Sequence, residues 1–241
     1  MTWVDGAMLA GAAYAAALVA GVAGFGGSLI MLPVAVLFFG VREGMAILTI
    51  SNTLQNILRA WVFRRDVPLG VCAWYLAGAV PANLLGAWVF TAAHPKLLAR
   101  GLGAFLLATL ALRRVRGMPR RRFRAPWFTP IGLAFGTLSG LVEGTGPLVA
   151  PFFLAYGLVK EAFIGTIAAV FMVTHVAKLA VFGGAGLLSG HVWAMALFLT
   201  PFMFLGVFTA RYVVQRMPER LFLAVIELML LGAGLNFLLR G

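Results

Sequence analysis

The sequence has one cysteine, Cys72, among its 241 residues. A single thiol forms no intramolecular disulfide, no CxxC redox pair and no thiolate zinc site, so a thiol-redox carrier is excluded. Charge is also scarce. Only 11% of the residues are charged, against about 25% in soluble domains. The acidic residues number 7, and Asp5 and Asp66 stand at the edges of apolar runs, so no Ser/His/Asp site assembles. The three histidines, His94, His175 and His191, are scattered. A Walker loop, an HExxH helix and a His/Cys/carboxylate cluster at metal spacing are all missing. The expectation is no enzyme, no cofactor and no metal.

What the chain does have is apolar length. Hydrophobic residues make up 62% and mean hydropathy is +1.00. Runs this long in so small a chain predict an all-α polytopic membrane protein with no room for a soluble catalytic domain. The lipid bilayer is its first partner. Met1 to Ala20 lacks a basic leader, so it reads as the first membrane helix and not as a cleaved signal peptide. A net charge of +12 would suggest nucleic acid in a soluble protein. Here seven of the nineteen cations lie in the stretch from Arg113 to Arg124, between two apolar blocks. Cytoplasmic loops place their cations there, so no nucleic-acid partner is expected, and the cluster can also meet anionic lipid.

Hydrophobic segments run at about 6–22, 28–39, 44–63, 69–91 and 97–112, then 127–142, 147–158, 162–182, 188–210 and 218–239. This divides the chain into a first repeat (1–112), a basic cytoplasmic linker (113–126) and a second repeat (127–241). An offset of 118 residues pairs Gly26 with Gly144, Pro33 with Pro151 and Val41-Arg42-Glu43 with Val159-Lys160-Glu161. The second segment of each half has only about twelve residues. At about 1.5 Å per residue it cannot cross about 30 Å of hydrocarbon, so it reads as a half-helix. Placing the linker inside, with five segments per half, puts thirteen cations inside and four outside. Four parallel passes per half would give ten and seven. The positive-inside rule favours inverted repeats.

A glycine break before each half-helix marks the candidate site. The first is Gly24-Phe25-Gly26-Gly27-Ser28 and the second Glu143-Gly144-Thr145-Gly146. Glycine admits unusual backbone angles, and a helix that starts inside the membrane aims its free N–H groups at an anion. Gly24, Gly26, Gly27, Ser28, Gly144, Thr145 and Gly146 are therefore candidate substrate contacts; close helix packing through small residues is the competing reading. Segment 44–63 carries Ser51, Asn52, Gln55, Asn56 and Arg59, with Asn52, Asn56 and Arg59 on one face. Its counterpart carries Thr166, Thr174, His175 and Lys178, the last three on one face. Asn52, Asn56, Arg59, Thr174, His175 and Lys178 join the candidate substrate set. Arg59 and Lys178 could instead snorkel to the interface. Glu143 has three readings: a proton carrier, an ion-pair partner of Lys178, or a cap for backbone N–H groups at the break. Asn83 and Glu227 read as helix–helix hydrogen bonds.

Together, Gly-Phe-Gly-Gly-Ser-x4-Pro, the Arg-Glu turn, the Ser-Asn-x3-Asn helix and the echo in the second half resemble the TauE/SafE sulfite exporter family. In that resemblance Glu143 stands where an apolar residue is usual, and Thr145 interrupts the glycines. The resemblance implies a carrier of small anions, often sulfur-containing, in a bacterial-type inner membrane. Three function classes stay open: a secondary transporter working by alternating access, with protons as a candidate coupling ion; an anion channel; and a membrane-embedded assembly factor or enzyme. The cation asymmetry makes a direct prediction. In a Cys72→Ser background, Gly117→Cys should stay unlabelled by an impermeant thiol reagent in intact cells; labelling would reverse the orientation.

Overall fold

The computed structural model describes residues 3–23, 27–114, 124–158 and 160–213. Gly24, Gly26 and the predicted segment 218–239, with Glu227, lie outside the described residues. All regular structure within them is helical. In order come α1 (Trp3–Ala23), α2 (Gly27–Val62), a 3-10 turn at Arg64–Asp66, α3 (Leu69–Ala92), α4 (Pro95–Arg114) and a second 3-10 turn at Ala125–Trp127. The order continues with α5 (Phe128–Leu141), α6 (Gly146–Tyr156), α7 (Lys160–Gly184) and α8 (Gly190–Val213). Among the described residues, four helices contain stretches long and apolar enough to cross a membrane: Gly27–Trp61, Leu69–Ala92, Ala162–Gly184 and Gly190–Thr209.

Polarity runs from the inside out. Thr49, Asn52, Gln55, Asn56, Glu143 and Lys178 are buried, while Trp74, Leu85, Trp88, Leu197, Leu205 and Phe208 are exposed. In water this arrangement would expose extensive apolar surface and bury costly polar groups. In a bilayer the apolar surface faces lipid, and the polar interior must satisfy itself.

Segments 28–39 and 44–63 are joined in α2, but the helix breaks at Gly40, whose φ of 75° and ψ of 173° leave helical space. Its N-terminal limb is the expected half-helix. Correspondingly, α6 spans only Gly146–Tyr156 and ends at Gly157, with φ 107°. A glycine at positive φ closes each half-helix because other residues resist that region. At the opposite end of α6, Gly144 has φ 89°. Helix α4 runs on through Arg113 and Arg114, the first two residues of the basic stretch. Arginine is a good helix former, and cations suit a helix C-terminus.

Two tight helix pairs frame the breaks: α3 packs on α5, and α1 on α8. The α3–α5 contact is built on small residues. Gly132, Gly136 and Gly140 meet the backbone of Tyr75, Ala79 and Asn83, and Gly78 and Gly86 meet that of Thr129 and Thr137. In the second pair Gly206 lies against the backbone of Tyr14. Such stripes let helices approach closely where lipid supplies no hydrophobic drive. Buried Asn83 adds polar ties, donating to the Thr174 carbonyl (2.9 Å) and accepting from the Gly140 N–H (3.1 Å). Between the two pairs, the C-terminal limb of α2 crosses α7.

The ends of the bundle are tied separately. At one end Arg42 donates to the carbonyls of Thr91 (3.2 Å) and Ala93 (3.0 Å), beyond the last α3 hydrogen bonds. Near it Glu43 and His191 lie 3.6 Å apart. At the other end Gly165 of α7 packs on Phe63 and Val67.

The packing predicts a contrast between two Gly→Ala changes. Gly140→Ala drives a Cβ into the Asn83 carbonyl and should lower the apparent melting temperature by several degrees. Gly101→Ala has nothing within 4 Å and should be neutral or stabilising. Fluorescence-detected thermal unfolding in detergent measures both, and equal behaviour would refute the close-packed reading.

Candidate functional site

The site grows from one stripe on α2. Thr49, Asn52, Gln55/Asn56 and Arg59 recur every three to four residues, so they share a helix face. That face turns inward toward α7 and both breaks. It lines a cleft with about 520 Å³ of unfilled space, any open mouth included. Gly27, Ser28, Asn52, Asn56, Arg59, Gly144, Thr145, Gly146 and His175 all border this cleft, as do Gln55 and Glu143. The apolar wall includes Ala17, Ala20, Ile167, Phe171 and Met203.

Glu143 is the hub. It is 1% exposed and sits between α5 and α6. Lys178 Nζ donates to Glu143 Oε1 at 3.0 Å and to the Ser139 carbonyl at 3.0 Å. Thr49 Oγ1 lies 2.9 Å from Glu143 Oε1 and 2.8 Å from the Met45 carbonyl, and its one proton serves either. Asn52 Nδ2 donates to Glu143 Oε2 at 2.9 Å and to Ser28 Oγ at 3.0 Å. His175 Nε2 stands 3.5 Å from Glu143 Oε2. The ion pair with Lys178, one of the three sequence readings of Glu143, is present in this geometry. Asn52 also joins the two halves, linking Ser28 at the start of α2 to Glu143 in the second break.

A second chain of contacts leaves the hub through His175. Its ring stacks on Phe171 with centroids 5.8 Å apart. Asn56 Nδ2 lies 3.4 Å from His175 Nδ1, and Arg59 Nη2 donates to Asn56 Oδ1 at 2.7 Å. Arg59 thus lines the cleft and is held by Asn56.

The breaks touch each other as well. Gly144 packs on Leu29, and Gly27 packs on Ala16 and Ala20 of α1. The Thr145 carbonyl accepts from the N–H groups of Leu148 (3.0 Å) and Val149 (3.2 Å), so helical bonding in α6 begins there. The N–H groups of Thr145 and Gly146 fall in the first turn, where a helix offers them no acceptor.

Two predicted contacts do not border the cleft. The Thr174 hydroxyl returns to the carbonyls of Val170 (3.1 Å) and Phe171 (3.2 Å) on its own helix. Lys178 is fully buried behind Glu143. Gly24 and Gly26 lie outside the described residues. Gln55 and Thr49 were missed as site residues. Their signal was present in the stripe, three residues either side of Asn52. Gln55 Nε2 is buried against the cleft and has no hydrogen-bond partner among the described residues.

A buried polar cleft between broken helices, inside a bundle with an apolar outer surface, defines a membrane transport protein. Its family is shown by comparison: the model of the sulfite exporter TauE/SafE family matches residues 9–237, and the chain belongs to that family. No curated protein and no solved structure matches the chain.

The ion pair predicts non-additive stabilities. Lys178→Met strands a buried carboxylate and should cost about 3–5 kcal/mol. Combining it with Glu143→Gln removes the stranded charge and should recover much of that loss. Thermal unfolding of the singles and the double tests this; additive losses would refute the pairing.

Proposed function

We propose that the protein is a secondary transporter that moves a small anion through the cleft by alternating access. Family membership supports a membrane anion exporter, and the family's members are transporters rather than enzymes. Sulfite, a sulfoacetate-like sulfonate or a small organic acid fits the chemistry. The observation that carries the reading is the internal neutralisation of Glu143. With Lys178 against it, the carboxylate no longer opposes an anion, and the donors around the cleft favour one. Those donors are Arg59, Gln55, Ser28 and the first turn of α6. At a 4 Å separation an unmatched carboxylate would repel a bound anion by about 4 kcal/mol at an effective dielectric of 20.

Alternating access is proposed through inverted repeats rocking about this point. The packing supports it. The segment correspondence of the two halves exchanges α1 with α5 and α3 with α8, which turns the α1–α8 pair into the α5–α3 pair. The half-helices end at Gly40 and Gly157, backbone points suited to hinge motion. We place the chain in a bacterial-type inner membrane, with the 113–126 linker in the cytoplasm.

Counterflow in proteoliposomes tests the mechanism. Unlabelled sulfite inside should accelerate uptake of radiolabelled sulfite several-fold, as a carrier requires. Uptake without trans-stimulation would favour an anion channel, which the same donors could also line.

A further inference from the structure

The contacts of Asn56 impose a choice that has a consequence for coupling. Arg59 Nη2 sits 2.7 Å from Asn56 Oδ1. A guanidinium only donates, so that end of the amide must be its oxygen. The NH2 end then faces His175 Nδ1 at 3.4 Å. An amide nitrogen only donates, so Nδ1 must accept, and the neutral ring carries its proton on Nε2. There it points at Glu143 Oε2, 3.5 Å away, on a carboxylate whose other oxygen accepts from Lys178. The four groups are consistent with one another only while His175 is neutral.

A proton on His175 breaks that consistency. Both ring nitrogens become donors, and Nδ1–H confronts the Asn56 NH2. Turning the amide over offers Oδ1 to His175 but presents the NH2 to Arg59. One carbonyl oxygen in this position serves either the imidazolium or the guanidinium.

We propose that Asn56 is a toggle, holding Arg59 when His175 is neutral and releasing Arg59 toward the cleft when His175 binds a proton. Asn56 acts through its neighbours and is a positioning residue; His175 carries the proton, taken from solvent. The charged groups facing His175 among the described residues are Glu143 from the α5–α6 break, Lys178 from its own helix and Arg59 from α2. The proton and the anion then favour each other, because each stabilises the arrangement in which Arg59 donates into the cleft. Linkage makes the effect reciprocal. The transport consequence rests on the carrier reading above: anion and proton move in the same direction. It also separates the roles of the two titratable groups, His175 as the exchanging site and Glu143 as its fixed counter-charge.

The test uses the full chain in lipid nanodiscs, with His94→Gln and His191→Gln leaving His175 as the one histidine. Nitrogen NMR of the labelled ring should show the Nε2–H tautomer in the neutral form; Nδ1–H would overturn the toggle. Titration midpoints are then compared in a cycle of Arg59→Met, which has no donor for the amide, and Asn56→Leu. Removing Arg59 changes the local charge in both backgrounds, but frees the amide only where Asn56 is present. The shift on removing Arg59 should therefore be larger with Asn56 than without it, by about 0.5 pH unit or more if one net hydrogen bond is at stake. Equal shifts would overturn the proposal. Asn56→Asp is the second variant, since a carboxylate accepts from both neighbours at once and should likewise abolish the excess shift. In proteoliposomes, the stimulation of sulfite uptake by an inward proton gradient, normalised to each variant's own rate, should fall toward unity in Asn56→Asp. Unchanged stimulation would overturn the toggle. Failure of the unsubstituted protein to move sulfite at all would instead count against the carrier reading, and the NMR cycle would still decide the toggle.

Discussion

The buried pair of Glu143 and Lys178 is the constraint on which the rest of the interior depends. A carboxylate alone at this depth would be prohibitively costly, and so would an ammonium. Together, 3.0 Å apart, they fix the distance between the α5–α6 break and α7. The remaining carboxylate lone pairs recruit Thr49 and Asn52 from α2, and Asn52 in turn reaches Ser28. One ion pair thereby ties both broken helices to the crossing of α2 and α7.

The outer framework serves a different purpose. The small-residue contacts of α3 with α5, and of α1 with α8, hold backbones close without any hydrophobic gain from water. They leave α6 and the N-terminal limb of α2 attached at glycine breaks, Gly144 and Gly40, and closed at Gly157. Of these glycines, Gly144 borders the cleft itself.

The cleft also shows how a cationic site can contain an acid. Charge is matched on the side of Glu143 away from the cleft, by Lys178, while Arg59 and Gln55 are on its lining. An anion entering would meet donors whose nearest carboxylate is already satisfied. The family match places this geometry in a transport setting.

The sequence by itself determined the membrane character, because no other environment accommodates this hydropathy with so few charges. It also determined the half-helices, since about twelve apolar residues between glycine and proline signals cannot span a bilayer. The inward stripe was legible because helical period places Asn52, Asn56 and Arg59 together whatever surrounds them. What only the tertiary structure decided is which polar groups face the cleft and which face one another. Thr174 and Lys178 have the spacing of site residues, yet one bonds to its own backbone and the other is used up by Glu143. Gln55 looks like any amide in the stripe until the packing leaves its nitrogen buried without a partner among the described residues. Periodicity fixes a side chain's direction around its own helix axis. The partner it meets there depends on how other helices cross, and that is set by contacts more than a hundred residues apart, such as Asn56 with His175.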